Sequence, residues 1–270
     1  MPYRRNAFLL GLLLVAGPAV AQGSREADDL KRYTECMRHA RQDPLKAIPA
    51  AERWFAEGGG YGARHCVAMA MFQAGRFAQA AAQFEAIARD MGRERPGLRA
   101  ELWTQAGQAW LEAGDADRAV AAHGRAIELK PSDAEPLIDR SLAHAARQAW
   151  AAAITDLDRV LALRPNDVEV LVLRAAAWRQ SGNSARAVQD AERALGFAPD
   201  HSEALLERGF ARLARGDRSA ANADFLRVAR LVPPGSAAAR RAEAGLRGEL
   251  PGAAAPAAPP APQPAPAPRR

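Results

Sequence analysis

From Ala100 to Gly235 the apolar residues recur three and four positions apart, in stretches of about a dozen residues, the spacing of one face of a helix. Short polar turns separate the stretches: "AGD", "RQA", "SGN" and "RGD" in the middle of each pair, and a proline at the end of each pair. The pattern predicts pairs of helices joined by tight turns, the second helix of each pair closed by proline. One stretch, "VLVLRAAAWRQ" (170–180), places Arg174 among positions that the helical period assigns to the interior.

The pairs repeat. Pro131, Pro165, Pro199 and Pro233 stand 34 residues apart, as do Gly114, Gln148, Gly182 and Gly216, and Ala119, Ala153, Ala187 and Ala221. A fixed step of this size means stacked supersecondary units. In the unit 100–133, Trp103, Ala106, Gly107, Trp110, Gly114, Ala119, Ala126 and Pro131 fall in register, with His123 a weak occupant of the bulky position. These residues resemble the tetratricopeptide repeat. The resemblance implies an all-α fold, a right-handed helical-hairpin solenoid of about six repeats with a C-terminal capping helix. Three further units cover 134–167, 168–201 and 202–235. An earlier one at 61–90 fits through Ala68, Met71, Gly75, Ala80, Phe84 and Ile87, and is followed by an insertion around "MGRER". A degenerate unit before it retains Ala47, Ala51 and Trp54. After Pro234, "SAAARRAEAGLRGEL" fits the polar-faced cap that a solenoid needs.

The ends of the chain follow other rules. Residues 1–21 carry Arg4 and Arg5, an apolar run from Ala7 to Ala16 and the small-residue site Ala19-Val20-Ala21, the order of a secretory signal cleaved before Gln22. The run is too short to cross a bilayer comfortably. Residues 251–270 are almost wholly Pro and Ala, with nothing to bury, and are expected to be a disordered or polyproline-like tail. The domain organisation expected is therefore signal peptide 1–21, degenerate helical repeat 22–60, repeat with insertion 61–99, four repeats 100–235, capping helix 236–250 and tail 251–270. The signal and the lack of an anchor predict export across the inner membrane to the periplasm, with no stable membrane insertion after cleavage.

Composition adds little. The formal charge is +6, and loss of Arg4 and Arg5 leaves 35 of the 37 basic residues against 31 acidic ones, or +4. No basic block with interleaved aromatics occurs, so nucleic acid is not an expected partner. No nucleophile–base pair, metal-ligand spacing or phosphate loop is present, so no catalytic residue and no cofactor are expected. The two cysteines, Cys36 and Cys66, lie in the first two units, and in an exported protein an even pair usually forms a disulfide. Zinc held by Cys36, His39, His65 and Cys66 is the rival reading, with free thiols a third.

The resemblance implies that partners bind the concave face built from first helices. Its fifth repeat position matches Thr104, Ile138, Val172 and Leu206, its ninth Gln108, Leu142, Ala176 and Phe210, and its twelfth Leu111, Ala145, Arg179 and Leu213. This largely apolar stripe lacks the Lys and Asn of the family's carboxylate clamp. It implies a protein or peptide partner offering a helix or an extended apolar segment. The alternative is a self-assembling structural protein whose groove is buried in a homo-oligomer.

Two periodic sets of charges complete the reading. Ser132 with Glu135, Asn166 with Glu169, and Asp200 with Glu203 have capping-box spacing, which assigns Glu101, Glu135, Glu169 and Glu203 to helix N-termini. Arg140, Arg174 and Arg208 keep the 34-residue step, and so do Asp156, Asp190 and Asp224. The pairs expected are Arg140–Asp156, Arg174–Asp190 and Arg208–Asp224, a structural ladder between the two helices of each unit.

Overall fold

The computed structural model describes residues 19–251, with side chains from residue 27. The signal-like segment 1–18 and the Pro/Ala tail 252–270 lie outside the described residues. Among the described residues there are thirteen α-helices and no strand. They are α1 (Ala19–Gln42), α2 (Pro44–Ala56), α3 (Gly60–Gln73), α4 (Phe77–Asp90), α5 (Pro96–Glu112), α6 (Ala116–Leu129), α7 (Ala134–Ala146), α8 (Trp150–Leu163), α9 (Val168–Gln180), α10 (Ser184–Phe197), α11 (Ser202–Ala214), α12 (Arg218–Leu231) and α13 (Ala237–Leu246). They fall into two compact units that divide between Ala177 and Trp178, inside α9.

In the N-terminal unit each helix from α1 to α8 packs on its neighbour in sequence, and the first helices also meet, α1 with α3 and α5 with α7. Two apolar clusters lie mainly in its first six helices. Tyr33, Ala47, Ile48, Trp54, Ala63 and Val67 form one, and Phe84, Ile87, Leu102, Ala106 and Trp110 belong to the next. In the C-terminal unit α11 packs on α10 and α12, and α13 packs on both α11 and α12. Phe210 and Phe225, with ring centroids 4.9 Å apart, are buried there.

Packing inside a hairpin depends on size compensation between its two helices. A Cβ on Gly107 of α5 would stand 2.5 Å from His123 Nε2 of α6, and one on Gly209 of α11 would stand 2.6 Å from the Phe225 ring of α12. Both rings are fully buried, so the glycines provide the space that the rings occupy. The equivalent positions are 102 residues apart in each case, three repeats on. In the two repeats between them the same positions hold Ser141 with Leu157 and Ala175 with Ala191, with no ring to accommodate.

The turns between helices explain the local register. Gly114, Gly182 and Gly216 all adopt left-handed backbone, with φ of 80°, 85° and 83°. Each is followed by a cap: Asp115, Asn183 and Asp217 accept the N–H of Arg118, Arg186 and Ala220. At the same place the turn between α7 and α8 has Gln148, forced to φ 57°, and Ala149, which offers no side-chain cap. A side chain in that conformation costs about 1 kcal/mol, and a missing N-cap about 1 more. Replacing Gln148→Gly together with Ala149→Asp is therefore expected to stabilise the N-terminal unit by about 2 kcal/mol. Denaturant unfolding should show the gain in midpoint without a change in slope.

The proline turns place the caps one residue later than the capping-box spacing indicates. The N–H of Asp133, Asp167 and His201 is donated to the carbonyl of Lys130, Arg164 and Ala198 respectively. Each proline and the residue after it therefore form the centre of a four-residue turn. Ser132, Asn166 and Asp200 are consumed by the turn, and Asp133, Asp167 and His201 cap the helices, accepting from Glu135, Val170 and Ala204. Three of the periodic glutamates make ion pairs. Glu135 accepts from Arg164 at 2.9 Å, Glu101 lies 3.9 Å from Lys130, and Glu203 pairs with Arg241. The insertion at 91–95 has a simple outcome: α5 begins at Pro96, a full turn before the repeat register, and Arg99 Nε donates to the Ala88 carbonyl.

Candidate interaction surface

The first helices present the residues that the repeat register assigns to a groove, and they differ sharply in exposure. In the N-terminal unit Thr104 and Gln108 on α5 are half-buried. The Thr104 hydroxyl donates to the Ala100 carbonyl, and Gln108 Nε2 donates to Asp139 on α7 at 2.6 Å. Ile138 on α7 is 3% exposed and Val172 on α9 is 7% exposed, so neither offers much to a partner. Leu142, one turn along α7 from Ile138, is 36% exposed. Leu111, Ala145 and Ala176 are partly exposed.

In the C-terminal unit the groove positions are covered. Leu206 and Phe210 are buried, and Leu213 is half-buried. The cover over Phe210 is ionic. The Arg179 guanidinium lies 5.7 Å from the Phe210 ring centroid and that of Arg241, on α13, lies 5.8 Å from it. Glu207 joins them, accepting from Arg179 Nε and from Arg241 Nη2 at 2.8 Å each, while Arg241 Nη1 reaches Glu203. Glu207 is 4% exposed, so the bridge is largely desolvated, and two cations against two carboxylates leave it balanced. Arg179, which the register assigns to the groove, here clasps α9, α11 and α13 together.

Glu207 belongs to a polar seam that the sequence displays without announcing. Gln105, Asp139 and Glu207 occupy the same repeat position, and each reaches back to the preceding first helix: Gln105 to His65 on α3, Asp139 to Gln108 on α5, Glu207 to Arg179 on α9. Polar residues recurring at the 34-residue step were the available signal.

Two of the expected Arg–Asp pairs, Arg140–Asp156 and Arg208–Asp224, join the two helices of their hairpins. Arg140 Nε and Nη2 donate to the two oxygens of Asp156 at 2.8 and 2.6 Å, across from α7 to α8. Arg208 holds Asp224 in the same fork, at 3.0 and 2.6 Å, and Arg212 Nη1 adds a third donor at 2.9 Å. Asp156 and Asp224 are 2% and 3% exposed. Arg174 Nη1 donates to Asp158 on α8 at 2.6 Å, and Asp158 is an exposed partner. Asp190 is buried on α10.

At the N-terminal end Cys36 of α1 and Cys66 of α3 are joined as a disulfide, their Cα atoms 6.2 Å apart. Neither sulfur is then a thiolate available to zinc. Beside it Tyr33 OH donates to His65 Nδ1 at 2.9 Å, and His65 Nε2 donates to Gln105 Oε1 at 3.0 Å. Burial pushes the His65 pKa from 6.5 down to about 4, only partly offset by the Gln105 hydrogen bond, so the imidazole is neutral. Burial pushes the Tyr33 hydroxyl up to about 12.

Stacked helical hairpins, with a left-handed turn inside each of the four units from residue 100 and a proline after it, define a protein of the tetratricopeptide-repeat fold. No protein-family model matches the chain, and no curated protein matches it. Among solved structures it is similar to the C-terminal part of a TPR repeat-containing protein from Cytophaga hutchinsonii, at 13% identity and a TM-score of 0.64, over 78% of this chain and 82% of that one. It is also similar to MamA from Desulfovibrio magneticus, at 19% identity and a TM-score of 0.56, over 63% of this chain and 94% of that one. A thermophilic TPR protein of Thermus thermophilus matches at 15% identity and a TM-score of 0.53, over 70% of this chain and all of that one. At these identities the likeness is one of fold.

Proposed function

We propose that the protein is a non-enzymatic interaction scaffold of the periplasm, and that it holds a partner's helix or extended apolar segment on the first-helix face of α5 and α7. The observation that carries this reading is Leu142. It is a large apolar side chain, 36% exposed, on the face where Ile138 and Val172 are buried. Thr104, Gln108 and Ala145, at groove positions of the same register, are partly exposed and uncharged. An exposed apolar anchor with partly exposed, uncharged residues at neighbouring groove positions, and with the Asp139 carboxylate held by Gln108, suits burial of an apolar segment. The N-terminal unit is favoured in this reading because Arg179, Glu207 and Arg241 close over Phe210 in the other.

The compartment is supported by three features. Residues 1–21 have the order of a secretory signal, Cys36 and Cys66 are bonded, and such bonds persist in oxidising surroundings. Among the described residues no helix is long and apolar enough to cross a membrane. The test is Leu142→Glu in the intact chain, crosslinked in its native envelope. Loss of the captured partner is expected, at an unchanged melting temperature, because an exposed position tolerates a charge.

A further inference from the structure

We infer that α1 is a redox-controlled cover over α3, latched by Cys36–Cys66 and opened when a dithiol reductant exchanges with that bond. The inference starts from how little else holds α1. Between residues 27 and 42 only Tyr33 and Ala40 are fully buried. With Cys36 and Met37, partly buried, they form a single stripe at the helical spacing, two turns long. The disulfide sits in the middle of that stripe. Besides the disulfide, the ties from the described side chains of α1 include the buried Tyr33–His65 hydrogen bond, the exposed ion pair Arg32–Glu57, the Arg32 guanidinium 5.5 Å from the Trp54 ring centroid and a 3.4 Å contact from Trp54 Nε1 to Asp29. Of these, the exposed Arg32–Glu57 pair holds the helix weakly.

The covered helix has the opposite character. α3 buries Gly62, Ala63, His65, Cys66, Val67, Ala68 and Ala70, the pattern of an interior helix. Of these, Ala63, Cys66, Val67 and Ala70 share a cluster with the α1 stripe. Lifting α1 therefore bares an apolar strip of α3.

The chemistry has one accessible direction. Cys66 is fully buried and Cys36 is partly exposed, so an incoming thiolate attacks the Cys36 sulfur. The S–S bond breaks, Cys66 leaves with the electron pair and takes a proton. The reductant's second thiol then displaces Cys36 from the mixed disulfide. The reductant leaves as a disulfide and the protein gains two thiols, a two-electron exchange that consumes one dithiol.

The experiment uses the full chain under native conditions with dithiothreitol as the dithiol. Free thiols are counted against time, and amide hydrogen exchange is followed in α1 and α5. The expected result is release of both thiols well below the melting temperature, with exchange across 28–42 at least tenfold faster and α5 unchanged. The double variant Cys36→Ala, Cys66→Ala should show the same loosened α1 without reductant. If the sulfurs stay bonded until the whole unit melts, or if α1 keeps its protection once both thiols are free, the cover is fixed and the inference fails.

Discussion

Asp224→Ala should cost the C-terminal unit about 3 kcal/mol or more, the penalty typical of breaking a buried, hydrogen-bonded ion pair. Asp224 accepts both donors of the Arg208 fork and a third from Arg212, and its side chain is 4% exposed. Removing it leaves two guanidiniums, 18% and 21% exposed, facing a cavity where their acceptor stood. Arg212 retains Glu192 at 2.9 Å, but Arg208 would keep only what solvent reaches it. The comparison that isolates burial is Asp158→Ala, because Asp158 also accepts from an arginine at 2.6 Å yet is 54% exposed. That substitution should stay within about 0.5 kcal/mol of the parent. Denaturant unfolding followed by circular dichroism separates the two, and equal losses would mean that the pairs do not differ in burial.

Acidification should weaken the N-terminal unit through His65. The unfolded chain protonates this histidine near pH 6.5, whereas the folded state keeps it neutral down to about pH 4. Its contribution to stability is fully present above pH 6.5 and is lost as the pH falls toward 4, because the unfolded state then binds the extra proton. Over that window the loss amounts to about 3 kcal/mol. His144 acts in the same direction, since burial lowers its pKa against the pull of Asp156. The measurement is the imidazole titration of His65 by NMR, with unfolding free energies at the two ends of the window. A ring that titrates near 6.5 in the folded protein would contradict the burial assigned to it.

How far the sequence discloses this molecule depends on whether a property is local or borrowed from a neighbour. The hairpins are local: proline, glycine turn and small residues recur every 34 residues and fix the helices. The exchange of Gly107 and Gly209 against His123 and Phe225 is legible too, as a small position that shrinks where its partner grows. The caps are a near miss, because the four-residue turn around each proline takes up two residues before the helix can start. The surface is less legible. Repeat register assigns Leu206, Phe210 and Leu142 alike to one face, yet Phe210 is sealed by guanidiniums from α9 and α13 while Leu142 is open. Which groove residue is free depends on side chains of other helices, and Arg241 has no counterpart in the repeat to announce it.

Partner capture by Leu142→Glu, set against Leu163→Glu, tests the interaction reading most directly. Both leucines are exposed, one on the first-helix face and one at the end of a second helix. With both variants melting like the parent, the Leu142 variant should lose at least tenfold in crosslinked partner and the Leu163 variant should lose nothing. Undiminished capture by Leu142→Glu would contradict the account.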